Sequence, residues 1–265
     1  MWIVSIVLLG IAGGLFVAQN FQRKKVFLMK STKTSTAAEL KTLAKSVAED
    51  IGPGSFHEYT EVKGKSETEE PLISELAEIQ CVSYTMKVSR EYEETYYTTD
   101  SEGRNVQRTR RGSEIVSSNS RMVPFDINDG TGKIRINPEG AKMVTEKVFS
   151  RFDQGEPQGM KVSMGKFNIN LGNMAPKTGR RTIGYRYEEE IVPLNRELYI
   201  IGEASDSSGQ LQMQLPDEKE QKYIISVKSE EELTRSAEGL VKCFLYGSIA
   251  CVVLAAAIFI ISFFI

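Results

Sequence analysis

Both ends of this chain are free of charge. No charged side chain precedes Arg23 and none follows Lys242, so all 33 Lys and Arg and all 35 Asp and Glu lie between them. Apolar ends of this kind call for burial in something other than the charged middle. Residues 1–18, "MWIVSIVLLGIAGGLFVA", are polar only at Ser5. At about 1.5 Å per residue a helix of that length crosses roughly 27 Å, near the thickness of a bilayer's hydrocarbon core. A cleaved signal peptide would want a basic start and a small-x-small cleavage site. The start here is Met1-Trp2-Ile3, which predicts a retained anchor. Residues 243–265, "CFLYGSIACVVLAAAIFIISFFI", carry no charge and are long enough for a second span with some tilt. Upstream, Ser229 and Glu232 have capping-box spacing, which predicts a helix from near Glu230 that runs straight into that span.

Basic residues near spans set orientation. Arg23, Lys24, Lys25, Lys30 and Lys33 follow the first span, and Arg235 and Lys242 precede the second. They place the middle on the cytoplasmic side, with both termini across the membrane. Gly10 and Gly14 form a GxxxG in the first span, and Gly247, Ser248, Ala250 and Cys251 offer small residues on the second. Such residues permit close helix approach, within one chain or between chains.

The chain thus divides into a span at 1–18, a basic linker at 19–34, a soluble domain at 35–228, a juxtamembrane helix at 229–242 and a span at 243–265. The soluble part opens with "STAAELKTLAKSVAEDIGPG", where Leu40, Leu43, Ala44, Val47 and Ile51 make a helical stripe that Gly52-Pro53-Gly54 stops. Packing on the domain suits this helix better than a membrane-surface role. Strand-like alternation follows. "IQCVSYTMKVSREYEETYYTT" and "EIVSSNSRMVPFDI" read as a long hairpin across a polar turn holding Arg104, Arg108, Arg110 and Arg111. These arginines stand among Asp100, Glu102 and Glu114 and read as a solvated loop. "GKIRIN" is a strand, a short helix is expected from Glu139 to about Phe152, and residues 153–179 read as an adaptable loop. "RTIGYRYEEEIV", "ELYIIGEAS", "LQMQL" and "KYIISVK" are further strands. Two transmembrane helices flanking a mainly β domain, with some α, is therefore the expected fold class.

"VPFDINDGTGKIRINPEGA", Val123 to Ala141, poses a choice between a cation loop and a tight turn. A calcium loop begun at Asp126 has Asn128 third, but Gly130 stands where the fifth ligand belongs, and Glu139 comes two positions late for the closing carboxylate. Asp129-Gly130 and Thr131-Gly132 instead supply residues that tolerate positive φ between two strands, so a hairpin turn is expected. Calcium should leave Asp126→Asn and the unaltered protein melting alike.

Motifs for chemistry are few. His57 is the one histidine, no GxSxG accompanies it, and it reads as a surface residue at a strand start. The acidic run Glu188 to Glu190 reads as a solvated strand edge. P-loop and dinucleotide fingerprints are absent from the sequence. Cys81 reads as a small buried hydrophobe, while Cys243 and Cys251 fall in the second span, so the three cysteines give no disulfide framework. The net charge of −2 gives no reason to expect nucleic acid. No catalytic, cofactor-binding or metal-ligating residue is assigned, and no cofactor is expected.

Three blocks taken in order, "PLISELAEIQCVSYTMKVSREYEE" (Pro71 to Glu94), "VPFDINDGTGKIRINPEGA" and "YRYEEEIVPLNRELYIIGEAS" (Tyr185 to Ser205), lie between two spans. In this arrangement the chain resembles the GIDE family, the membrane-anchored E3 ubiquitin ligases of mitochondria and chloroplasts also called MULAN or MAPL. Bacterial relatives share the domain between the spans, named BAM for "beside a membrane". In the ligases a RING follows the second span, and a RING holds two tetrahedral zinc ions on eight Cys/His ligands. This chain has three cysteines and one histidine, so it is similar to the RING-less bacterial branch. The resemblance implies an OB-like barrel and a bacterial inner-type membrane. It further implies a scaffold that binds a protein partner or a second copy at the membrane surface. The rival expectations are an E3-family protein acting with a separate catalytic partner and a sensor of lipid or a small ligand. The hairpin Ile79 to Phe125 and the loop Asp153 to Gly179 are the expected contact surfaces.

Overall fold

A computed structural model describes residues 2–155, 161–164, 167–170 and 179–262. In chain order the elements are α1 (Trp2–Ser31), α2 (Ala37–Asp50), β1 (His57–Glu67), β2 (Leu72–Ile73), β3 (Gln80–Thr99), β4 (Asn105–Met122), β5 (Phe125–Asn128) and β6 (Lys133–Ile136). They continue as β7 (Lys142–Val144), β8 (Glu146–Gln154), β9 (Lys161–Met164), β10 (Phe167–Asn170), β11 (Arg180–Pro193), β12 (Glu197–Ser205), β13 (Gln212–Gln214), β14 (Ile224–Ser226) and α3 (Glu230–Ile261).

Five strands close on themselves in the order β1-β5-β6-β13-β12, with β12 returning to β1. All the pairs are antiparallel except β6 with β13. A five-stranded closed barrel with one parallel pair between its third and fifth strands is the topology of an OB fold. Side chains alternate as the pleat demands: Phe125 and Ile127 of β5 and Ile134 and Ile136 of β6 are fully buried in the barrel. β12 is buried along nearly its whole length because both its faces are covered. Leu198, Ile200 and Ala204 join the interior, while Tyr199 and Ile201 pack outward with Ile224 and with Leu233 of α3.

Closure requires β1 to serve two neighbours. His57 to Lys65 pair with β12, and Lys65 to Glu67 pair with β5. Gly64 stands where the strand passes from one to the other, and a Cβ there would lie 2.5 Å from the Asn128 carbonyl oxygen. Only glycine fits at this barrel corner.

α2 packs against the barrel with Ala37, Leu40 and Ala44 buried in the same core. Of the stripe expected from the sequence, Leu43 and Ile51 stay exposed. The helix starts at a capping box, with the Thr36 hydroxyl accepting from the Glu39 N–H and the Glu39 carboxylate accepting from the Thr36 N–H.

The two connections of the barrel that run long, between β1 and β5 and between β6 and β12, build a second antiparallel sheet. It runs from β8 through β11 to β3, with β2 and β4 on the far edge of β3. Val82 and Val192 at its base share the barrel's core. β3 and β4 form the expected long hairpin, with Ser83 opposite Met122 and Thr99 opposite Asn105. β11 accompanies β3 only as far as Glu94, so beyond that residue β3 and β4 run on as a two-stranded ribbon. β9 and β10 pair with each other within the stretch read as an adaptable loop, while residues 156–160, 165–166 and 171–178 of that stretch lie outside the described residues.

The helix expected from Glu139 to Phe152 is not there. Pro138 and Gly140 make a turn, with the Ala141 N–H on the Pro138 carbonyl and Gly140 at φ +77°, and β7 and β8 follow. β14 takes β7 as a parallel neighbour and β11 takes β8, so hydrogen bonding across the sheets overrides the local helical preference.

α1 and α3 are long and apolar enough to cross a membrane. They lie side by side and antiparallel, with the Trp2 and Phe259 rings 5.7 Å apart at one end and Lys30 bonded to Glu238 at 2.6 Å at the other. The sheltered positions of α1 include residues 5, 8, 12, 15, 19, 22 and 26, which alternate in steps of three and four, with residue 18 beside them. Those of α3, from Thr234 through Ala237, Ser248 and Ala255, do the same. This is the heptad seam of a left-handed helix pair. Gly10 and Gly14 lie off it, exposed, and a Cβ added at either would meet nothing within 4 Å, so the GxxxG does not hold the two helices together. Gly247 does lie on the seam, where its Cβ position is 3.4 Å from Leu15.

Candidate functional site

The outer face of β1 is where both long helices are fastened. After α1 the chain runs beside β1: the Glu61 N–H donates to the Lys33 carbonyl and the Ser35 N–H donates to the Glu61 carbonyl. The Thr60 hydroxyl adds bonds of 2.8 Å to the Lys33 carbonyl and the Ser35 hydroxyl. The Glu61 side chain is buried and accepts from the Thr34 hydroxyl. Two residues on, Lys63 reaches Glu61 at 3.2 Å and Glu230, the first residue of α3, at 2.9 Å. One ammonium therefore joins the α1 connection, the barrel and α3. Burial works against its charge, but Glu230 and Glu61 together outweigh that and raise the Lys63 pKa above its ordinary value.

α3 begins here by a capping box of Ser229 and Glu232, as their spacing predicts, with Glu230, Glu231 and Glu232 in its positive first turn. Tyr199 packs beneath, its ring 5.7 Å from the Lys63 ammonium. Burial, and then the charge of Glu61, keep its phenol protonated well above the ordinary range. A groove of about 690 Å³ opens at this junction between β12 and the first turn of α3, lined by Lys63, Arg196, Glu197, Tyr199, Lys228 and Glu231 among others. It mixes both signs of charge over an apolar floor. That composition suits holding two parts of one chain together.

The Asp-Gly turn is the expected hairpin. Gly130 has φ +86° and β5 pairs with β6 on either side. Asp129 uses both carboxylate oxygens within the protein. One accepts from the Thr131 N–H and hydroxyl and the Gly132 N–H, and the other accepts from the Ala37 N–H at 2.7 Å. The Asp129 carboxylate thus fastens the turn to the positive end of α2. Asp126 faces Arg135 across the hairpin at 3.4 Å.

The run Glu188 to Glu190 is not a strand edge, because β11 lies between β3 and β8. Glu188 pairs with Lys147 and Glu190 accepts from Thr145, but Glu189 is fully buried. Its two oxygens accept from the N–H groups of Glu75, Leu76 and Ala77, which hold the turn before β3 against the sheet. Burial first, and Glu189 second, push the neighbouring Cys81 thiol up to about 11, so this cysteine is an inert buried side chain.

Arg108, Arg110 and Arg111 lie in β4, not in a loop, and Arg104 closes the ribbon's turn against Asp100. Arg110 and Arg180 share Glu94, and Arg180 lies 4.2 Å from the Tyr92 ring centroid. Arg104 and Arg110 are thus spent on the ribbon and sheet, while Arg108 and Arg111 are exposed.

His57 is the first residue of β1 and is partly exposed, and its Nδ1 lies 2.8 Å from Glu203 Oε1. Asp217 completes a group whose ligand atoms lie within 4.8 Å of one another. Three such groups could hold a cation. Read from sequence, the one histidine is a surface residue and this grouping is hidden, because His57 and Glu203 are 146 residues apart. The imidazole and Glu203 already satisfy one another.

A family model described as GIDE, E3 ubiquitin ligase, matches residues 93–259. The chain is also similar to the E3 ubiquitin-protein ligase SPL1 of Arabidopsis thaliana, 26% identical over 147 residues. That match takes in 54% of this chain and 40% of SPL1, so the chain spans less than half the length of this relative. No solved structure matches.

Proposed function

We propose, because this chain belongs to the GIDE family, that it is a two-pass integral membrane protein whose barrel and sheet bind a protein partner, or a second copy, at the membrane surface. The carrying observation is the fastening on β1. Lys63 ties the barrel to the first residue of α3, and α3 continues without interruption from Glu230 to Ile261. A partner docked on the sheet would be held at a fixed height above the bilayer. The excess of Arg and Lys beside both spans supports a cytoplasmic position for the domain, and a membrane of bacterial inner type is proposed from the resemblance to RING-less relatives alone. The ribbon beyond Glu94 is the proposed contact arm: it pairs with no further strand among the described residues, and Tyr97 at its side is 73% exposed.

A second reading, ligase function with a separate catalytic partner, is favoured by the family's description as E3 ubiquitin ligase and by the likeness to SPL1. Within these 265 residues three cysteines and one histidine are too few for a RING, so on this reading these residues recruit and the transfer chemistry is done elsewhere.

Photo-crosslinking tests both. A photoreactive phenylalanine analogue replaces Tyr97 in the full chain in its native membrane, and crosslinked species are identified by mass spectrometry. A stoichiometric protein, or a second copy, is the expected result. A ubiquitin-like or conjugating protein among the products selects the ligase reading. Crosslinks to lipid alone would sink the recruiting role.

A further inference from the structure

Where α1 and α3 leave their uncharged stretches, a groove of about 310 Å³ lies between them. Arg23, Phe27 and Lys30 line it from α1, and Glu238, Val241 and Lys242 from α3, with Val26 completing the wall. Arg23 is the first charged residue of the chain and Lys242 the last, so both stand where an uncharged helix becomes a charged one. In a membrane that is the level of the headgroups. The antiparallel pairing brings the two cations to one groove from opposite ends of the sequence.

Charge in the groove is one-sided. Its single acid, Glu238, is bonded to Lys30 at 2.6 Å and also feels the charge of Lys242, which leaves three cations against one carboxylate. Among the described residues no ion pair involves Arg23 or Lys242. Between these cations the floor is apolar, and Phe27 is 70% exposed. Two cations outside any ion pair, beside an apolar floor, complement a molecule with an anionic head and hydrocarbon chains.

We infer that this groove binds an anionic phospholipid, its phosphate between Arg23 and Lys242 and its acyl chains along the apolar sides of α1 and α3. A zwitterionic lipid makes the same apolar contacts but brings its own cation up to Arg23 and Lys242, so the groove selects by charge. The inference rests on α1 and α3 being spans and not on the recruiting role of the domain.

The test uses the full chain in nanodiscs of mixed phosphatidylglycerol and phosphatidylcholine, with retained lipid counted by native mass spectrometry after transfer to detergent. Retained lipid should be enriched in phosphatidylglycerol above its bulk fraction. Each cation near a membrane surface favours anionic lipid by about fivefold, so the double variant R23Q/K242Q should lose enrichment by about fivefold to thirtyfold. A control, K24Q/R235Q, removes two flanking cations outside the groove and should keep it. Equal loss in both variants would reduce the effect to overall charge and overturn the site. Absence of enrichment in the unaltered chain overturns it without any variant. Release of the chain from membranes by carbonate would instead show that the spans themselves were misread.

Discussion

Asp129 shows how a residue's surroundings decide its role. Burial works to raise its carboxyl pKa, but the donors of Ala37, Thr131 and Gly132 outweigh that, so the pKa is lowered in the folded protein. A lowered carboxylate stabilises above its ordinary pKa, and that contribution is lost as pH falls through the folded value. Asp129→Ala should therefore cost about 1–3 kcal/mol at neutral pH, lowering the melting temperature by about 2–4 °C per kcal/mol. The gap between variant and wild type should narrow below about pH 4, and a gap independent of pH would contradict the assignment. The turn itself was legible, since Asp-Gly and Thr-Gly between two alternating strands leave little choice. The roles of Asp129 and Glu189 were not, because the backbone N–H groups they serve come from α2 and from the turn before β3. His57 was hidden for the same reason, its partner arriving on β12.

Elements were readable wherever a local rule acts alone. The capping box at Ser229, the long β3–β4 hairpin and α2 followed from spacing and alternation. β7 and β8 did not, since "GAKMVTEKVF" takes strand form only when β14 and β11 offer it edges. The OB-like barrel expected from the resemblance is present, but the strand that closes it was not legible, because closure turns on β1 having two partners. Gly64 is the position that tests it. Gly64→Ala places a methyl 2.5 Å from the Asn128 carbonyl and against Ile127, and backbone rather than a flexible side chain would have to yield. We expect a loss of about 2–4 kcal/mol, with partial unfolding of the barrel seen as reduced thermal cooperativity. Gly10→Ala, facing open space on α1, is the matched control and should leave the domain's unfolding unchanged.

At the scale of the molecule, the fastening on β1 makes a mechanical prediction. Lys63→Met leaves the buried Glu61 without its cation and frees Glu230. The expected cost is about 1–3 kcal/mol, reduced by the partial exposure of Lys63. Spin labels at Glu218 and Arg235 should report one narrow distance in the wild type and a broadened one in the variant. An unbroadened distribution would mean that apolar packing around Leu233 holds α3 without the ion pair. The seam that closes the barrel has a further consequence, in time rather than in space. Residues 57–65 pair with residues 197–205, so in a growing chain the barrel cannot close until everything between them has been synthesised. Pairings so distant in the chain are the slow ones, on the order of milliseconds to seconds, and until then β1 offers an unsatisfied edge. A nascent chain held by α1 would meet that interval at the membrane, with its most adhesive strand exposed beside its neighbours.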